Sequence, residues 1–336
     1  MEREDIRIRK AIMHVLDTQS GQCIYSENEL DTGSDFCDFL RGHIWKVMES
    51  DEKKECVFED DSEAAGWIKN LNTENFVTVS FYLANSLYGI MEENIDIPAA
   101  DLFVVVYEIE REKYLAILKM NYKRSYTHQT IPGTETNVGV AIQKATLPGG
   151  TQKLSEAAII SLENRKRLYV TEKRYDVNGI KTNYFSQLFL RCRANRSEKE
   201  KLNIVQRVVE HMQQKYYCEG SGQVKRQIEA AIAMDHALEE TGKIEIRDII
   251  KRILENEEMQ QEAREKLERY GIENDRIEPK NESTKKRISF QTLKTDTGIE
   301  IRIPTQEFER DSIQLMDCED GTIQMLIGNF ERIEKR

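Results

Sequence analysis

Apolar positions along this chain change their period several times, and each change marks an element. Ile6–Leu16 and Gln22–Tyr25 read as a strand pair around the polar turn Gln19-Ser20-Gly21. Phe36, Leu40, Ile44 and Val47 then recur at spacings near 3.6 after Ser34, a residue type that caps helices. Ser62–Leu71 reads as a short helix. Phe76, Val79, Leu83, Leu87 and Ile90 line a longer one with Thr73 as its expected cap, although Val, Thr and Phe also favour a strand at its start. The strongest strand signal is Leu102–Tyr107 and Tyr114–Met120, two continuous apolar runs joined by the charged turn Glu110-Arg111-Glu112-Lys113. Such runs are buried on both faces, which predicts an antiparallel hairpin at the centre of a sheet. Val138–Ile142, Ala157–Leu162 and Leu168–Thr171 add strands, the first two separated by Pro148-Gly149-Gly150.

The middle of the chain turns helical. Ser197-Glu198-Lys199-Glu200 is a capping box, in which the Ser and Glu side chains satisfy each other's backbone amides. Leu202, Val205, Val209, Met212 and Tyr216 form the apolar face of the helix it opens. Val224–Glu240, Asp248–Glu255 and Gln260–Tyr270 follow as helices, with Gly242 and Gly271 as stops. Asn274–Thr284 is polar, contains Pro279 and reads as a linker. Arg287–Phe290, Ile299–Ile303, Ser312–Met316 and Thr322–Ile327 are strand candidates, and Asp320-Gly321 is a hairpin step. The expectation is an α+β protein: an antiparallel sheet with helices (residues 1–190), a helical middle region (191–273) and a small C-terminal β module (285–336).

Composition adds mainly exclusions. The 336 residues are 39% hydrophobic and 32% charged, as in a globular protein with a charged surface. No run approaches the ~18 apolar residues of a membrane span. The start, Met1-Glu2-Arg3-Glu4-Asp5, leads into no apolar signal region, so a cytoplasmic protein without a membrane partner is expected. Six cysteines form no C-x-x-C pair and five histidines no H-E-x-x-H, so no metal site is expected. Neither a phosphate loop, a G-x-G-x-x-G nor a G-x-S-x-G is present, which points to no cofactor, no catalytic residues and a non-enzyme. A metal-dependent nuclease would draw on Asp101 and Lys119, but Ile117 stands where the second acidic ligand belongs.

Charge changes the picture more. The net charge is −11, yet residues 1–120 carry 12 Lys+Arg against 25 Asp+Glu, a balance of −13, while residues 160–226 carry 15 against 7, a balance of +8. A polyanion responds to potential within a Debye length of roughly 8–10 Å, so the local patch outweighs the sum. Arg165, Lys166 and Arg167, then Lys173 and Arg174, flank the strand around Tyr169 and line one edge of a hairpin turn in this reading. Arg191 and Arg193, at alternate positions of an extended stretch, share a face, and Arg196 follows. Lys285, Lys286 and Arg287 open the C-terminal module, and Lys123-Arg124 closes the central hairpin. Such cations suffice for phosphate contact without base reading. Tyr169, Tyr175, Tyr184 and Phe185 interleave with them, which would let them stack on unpaired bases, but the sheet core is their expected place. Val224–Glu240 and Asp248–Glu255 have helix-turn-helix lengths, but the second is too acidic to read a groove.

Three stretches carry a family resemblance: Tyr114–Tyr122; Leu154–Asn164 continuing through Tyr184-Phe185-Ser186-Gln187-Leu188-Phe189-Leu190-Arg191-Cys192-Arg193; and Glu240–Ile250. In order and spacing the chain resembles the bacterial 37-kDa nucleoid-associated protein family (NdpA/YejK-like). The resemblance implies association with the nucleoid and DNA binding, to double-stranded DNA first, with single-stranded DNA or RNA as further targets. It brings no catalytic residues. A homodimer is the assembly expected on general grounds. The acidic N-terminal part departs from a simple nucleic-acid binder and leaves a second reading open, an adaptor that docks a basic protein partner.

Overall fold

The computed structural model describes residues 2–31, 33–131, 137–150, 152–164, 167–217, 221–310, 312–328 and 332. It is a mixed α+β protein with antiparallel sheets, a helical middle region and small C-terminal β elements. Two compact units divide it, Met1–Arg196 and Ser197–Arg336.

The first unit contains, in chain order, β1 (Ile6–Asp17), β2 (Gln22–Ile24), α1 (Ser34–Met48), β3 (Lys54–Phe58), α2 (Glu63–Lys69), α3 (Phe76–Glu92), β4 (Ala100–Ile109), β5 (Glu112–Asn121), β6 (Lys123–Ile131), β7 (Asn137–Thr146), β8 (Glu156–Ser161), β9 (Leu168–Thr171), β10 (Tyr175–Val177), β11 (Ile180–Thr182), a π-helical turn (Phe185–Leu190) and β12 (Cys192–Ala194). Eight strands form one sheet in the order β12-β3-β9-β8-β5-β4-β1-β2, and every pairing is antiparallel. Alternation along β4 feeds two cores. Leu102 and Val104 pack with Ile12, Ile117 and Ile160 beneath α3 and the aromatic turn. Phe103 and Val105 pack with Leu118 and Ile159 beneath Leu40, Ile44 and Val47 of α1. Helices on both faces explain why Leu102–Tyr107 of β4 and Tyr114–Leu118 of β5 are apolar at every position rather than at every second one. Glu110 closes their turn with φ at +56°, a left-handed conformation unusual for a non-glycine residue.

Several local expectations shift. Gly33 precedes α1, so Ser34 is its first helical residue and not its cap. Asn75 stands before α3, and Asn72, not Thr73, accepts from the amides of Glu74 and Asn75. The Val- and Phe-rich start of α3 is helical because a 3.6 spacing buries Phe76, Val79 and Leu83 together, and burial overrides β propensity. The run Val138–Ile142 falls in β7, which pairs only with β6, as a two-stranded ribbon outside the main sheet.

The second unit holds α4 (Glu198–Tyr216), α5 (Ser221–Thr241), β13 (Ile244–Glu245), α6 (Ile246–Ile253), α7 (Glu257–Arg269), β14 (Arg276–Ile277), α8 (Glu282–Ser289), β15 (Phe290–Lys294), β16 (Glu300–Pro304), α9 (Thr305–Glu309), β17 (Ile313–Asp317) and β18 (Ile323–Ile327). One core joins Leu202, Val205 and Met212 of α4 to Ile249 and Ile250 of α6, Met259 and Leu267 of α7, and Ile288 of α8. The stretch 274–284 is not a free linker. β14 pairs with β13, and Asn281 caps α8 by accepting from the amide of Ser283. Arg287–Phe290 is likewise not a strand, because Thr284 and Ile288 bury one helical face that extends through Ser289. Buried Asp235 of α5 accepts from the hydroxyls of Ser289 and Thr305, which ties the following hairpin to the helices.

Ser197 accepts from the amide of Glu200 at 3.2 Å, and Glu200 accepts from that of Ser197 at 3.1 Å, completing the capping box. Ser197→Ala is expected to destabilise the second unit by about 1 kcal/mol. Urea unfolding followed by circular dichroism checks this; an unchanged midpoint would mean that the cap contributes nothing.

Candidate nucleic-acid interface

The β12 end of the main sheet, with its neighbours β3 and β9, places the first basic group. Val57 of β3 pairs with Arg193 of β12, and Cys56 pairs with Leu168 of β9. Arg167 precedes Leu168 and continues the ladder, its carbonyl accepting from the amide of Ser161 at 3.0 Å. Counting one step from the Cys56–Leu168 pair sets Arg167 beside Val57, opposite Arg193. Residues in one cross-strand row leave the sheet on the same side, so two arginines roughly 10 Å apart flank a valine that is 51% exposed. Tyr169, next along this face, is half-buried against the α1-side core.

The other cations of this group do not converge on that row. Lys173 and Arg174 are exposed beyond the opposite end of β9, so they and Arg167 do not line one turn. Arg191 does not alternate with Arg193 in one strand. It ends the π-helical turn at φ +48° and pairs with Asp61. Arg167 pairs with Glu112 at 3.5 Å. Arg196 is exposed at the end of the unit. Arg165 and Lys166 lie outside the described residues. Lys173, Arg174 and Arg193 are exposed and form no ion pair among the described residues, although Lys173 acts on the Glu156 carboxyl at longer range. Tyr184 and Phe185 are wholly buried, so the core claims them rather than a stacking surface.

In the second unit, Lys285, Lys286 and Arg287 occupy the end of α8. Lys285 pairs with Glu282 at 3.0 Å, Lys286 is exposed, and Arg287 donates to Asn203 of α4 at 2.8 Å. Farther along α4, Ile204, Arg207, Val208 and His211 line a groove of about 490 Å³ together with Lys266 and Arg269 of α7 and Tyr270, which follows it. No carboxylate lines this groove among the described residues. Sequence reading missed it because its two walls are far apart in the chain, although Arg207 and His211 stand at the i,i+4 spacing that aligns side chains on one helix face.

The nuclease constellation is not assembled. Asp101 pairs with Met120, while Lys119 pairs with Leu102 and Glu156, so Asp101 and Lys119 belong to opposite faces of the sheet. Asp101 accepts instead from the hydroxyl of Tyr122 at 2.8 Å. Burial raises its carboxyl above the usual range, against the opposing effect of that hydrogen bond. His14 is enclosed between Ser80 and the amide of Ser26, and burial holds its pKa down to about 4, which keeps the ring neutral at physiological pH. Among the described residues, no helix is long and apolar enough to cross a membrane.

A family model described as Nucleoid-associated protein YejK matches residues 12–335, nearly the whole chain. No curated protein matches.

Proposed function

We propose that this chain, which belongs to the nucleoid-associated protein YejK family, binds double-stranded DNA with little sequence preference, in the cytoplasm and at the nucleoid. The observation that carries the mechanism is the set of exposed cations that form no ion pair among the described residues, Lys173, Arg174 and Arg193, in a unit whose first 120 residues are strongly acidic. Unpaired cations meet phosphates and release condensed counterions, which drives binding without reading bases. Arg167 and Arg191 join after exchanging Glu112 and Asp61 for phosphate. Arg165, Lys166 and Arg196 extend the first surface in this reading, and Lys285, Lys286 and Arg287 with the α4–α7 groove give the second unit its own phosphate contacts. A homodimer would double both surfaces, and single strands or RNA would bind through the same phosphate chemistry.

Fluorescence anisotropy of the full chain with a labelled duplex tests this. Affinity should fall linearly with salt on log–log axes, with a slope of about 0.9 for each phosphate contacted. Absence of binding at low salt would remove the proposal. Equal affinity for unrelated duplexes is expected, and strong preference for one would contradict phosphate-led recognition.

A further inference from the structure

β6 and β7 leave the main sheet between β5 and β8, which are themselves neighbours in it through the Lys119–Glu156 pair. Nine and ten residues of strand give a ribbon about 30 Å long. Its register places Tyr126 opposite Ile142, His128 opposite Val140 and Thr130 opposite Val138. These pairs share one face. Tyr126 is 73% exposed, Val140 74%, Val138 66% and Ile142 55%. The other face pairs Ser125 with Gln143, Thr127 with Ala141, Gln129 with Gly139 and Ile131 with Asn137, small or polar residues apart from Ile131 at its end. One side of the ribbon is therefore apolar and uncovered, and a lone two-stranded hairpin is marginal in water.

Charge identifies the occupant. The described residues of the ribbon include no Asp or Glu, whereas the whole chain carries −11. Lys123, Arg124 and Lys144 stand exposed at its base and form no ion pair among the described residues. Arg124 is two residues before Tyr126, and Lys144 two after Ile142. An apolar face bordered by unpaired cations matches a nucleic-acid groove, with its apolar sugars between rows of phosphates. Beyond the cations at its base, the Tyr126 hydroxyl, His128 and Thr130 are the side chains of that face among the described residues that can exchange hydrogen bonds with bases, too few to read the donor and acceptor code of the major groove. The minor groove needs no such code.

We propose that the β6–β7 ribbon is a DNA-binding arm that enters the minor groove of duplex DNA, with Tyr126, Val138, Val140 and Ile142 against the sugars and base edges and Lys123, Arg124 and Lys144 on the flanking phosphates. The inference rests on the DNA-binding reading above. The minor groove is about 6 Å wide, and a pair of strands with side chains exceeds that, so the arm must widen the groove and bend the duplex. Bending is thus a consequence of the ribbon that phosphate contact by the sheet edge does not supply.

The test uses the full-length chain and a 30-base-pair duplex with a fluorophore at each end. Wild-type protein should bring the ends closer by energy transfer, and netropsin, which fills the minor groove, should compete. The variant Tyr126→Ser with Val140→Ser and Ile142→Ser lies outside both cores, so its Tm should equal that of wild type. It should lose the change in energy transfer and bind about tenfold more weakly, with an unchanged salt slope because no counterion-releasing group has been removed. If this variant bends and binds the duplex as wild type does, or netropsin does not compete, the arm proposal is overturned. A change in its mass by light scattering would assign the apolar face to a second copy of the chain and overturn it equally. Wild-type protein that binds no duplex would instead sink the DNA-binding reading itself, and the arm with it.

Discussion

Lys119→Ala is expected to cost about 3–5 kcal/mol of stability, the largest effect of any single substitution considered for this protein. The Lys119 side chain is wholly buried on β5, opposite a wholly buried Glu156 on β8. Its ammonium lies 3.8 Å from the Glu156 carboxylate, and it donates to the carbonyl of Pro98 at 2.8 Å and to Asn121. Asn121 in turn donates to Oε2 of Glu156 at 3.0 Å, and Tyr175 and Lys173 act on the same carboxyl, both lowering its pKa against burial. Burial holds the Lys119 pKa down to about 8 and pushes that of Glu156 up, each against the attraction of the other. Both shifts say that desolvation outweighs the pairing, so removing one partner strands a buried charge. Replacing both by apolar residues, Lys119→Met with Glu156→Leu, should therefore restore much of what either single change loses. Urea unfolding at pH 7 measures the cycle; single substitutions costing less than about 1 kcal/mol would show that the pair is not buried as described.

The same pair sets a pH dependence. Between about 8 and the ordinary lysine value of 10.5, Lys119 binds a proton in the unfolded chain more readily than in the folded one. Stability contributed by this group therefore rises with pH through that window and is lost as pH falls through about 8. Glu156 acts in the opposite sense: its raised carboxyl favours the folded state below the ordinary value of 4.5 and ceases to do so as pH rises through the folded value. Wild type should gain on the double variant between pH 8 and 10.5. Parallel stability curves for the two proteins across that range would contradict the assignment.

Lys119 also shows what the sequence does and does not disclose. β4 and β5 were legible because burial on both faces removes polar residues from a strand, and one lysine in Tyr114–Met120 was the exception that the apolar pattern could not place. Its partner Glu156 is remote in sequence and adjacent only through strand pairing. The capping box at Ser197 was legible because both halves of the interaction lie within four residues. β6 was not, since a strand with no core to face need not alternate cleanly, and Lys123–Ile131 is polar at most positions. α8 was hidden because Arg287–Phe290 is too short to separate the two periods, and its burial depends on α4 and α5. Basic residues were legible as charge but not as geometry. Arg167 and Arg193 meet only because β3 inserts between β9 and β12, and Asp61 and Glu112, which neutralise two arginines, come from other parts of the chain.

That neutralisation decides the second large effect. Lys173→Ala with Arg174→Ala and Arg193→Ala is expected to lower the magnitude of the salt slope for duplex binding by about 2.7, close to 0.9 for each lost contact. Between 50 and 200 mM salt, three such contacts account for roughly a fortyfold change in affinity. Arg167→Ala with Arg191→Ala should lower the slope by less per residue. Each of these arginines already holds a carboxylate, so binding DNA releases fewer counterions and leaves Glu112 or Asp61 facing the phosphates. Asp61→Asn should act in reverse and steepen the slope, because it frees Arg191 without adding a charge. All of these positions are exposed, and the variants should unfold at the wild-type temperature, so a change in slope reports binding and not folding. Equal losses from the paired and unpaired arginines would show that the ion pairs do not persist in solution. An unchanged slope in the triple variant would move the phosphate contacts away from the sheet edge, to the ribbon base and the α4–α7 groove, where the same measurement on Lys123, Arg124 and Lys144 or on Arg207 and Arg269 would locate them.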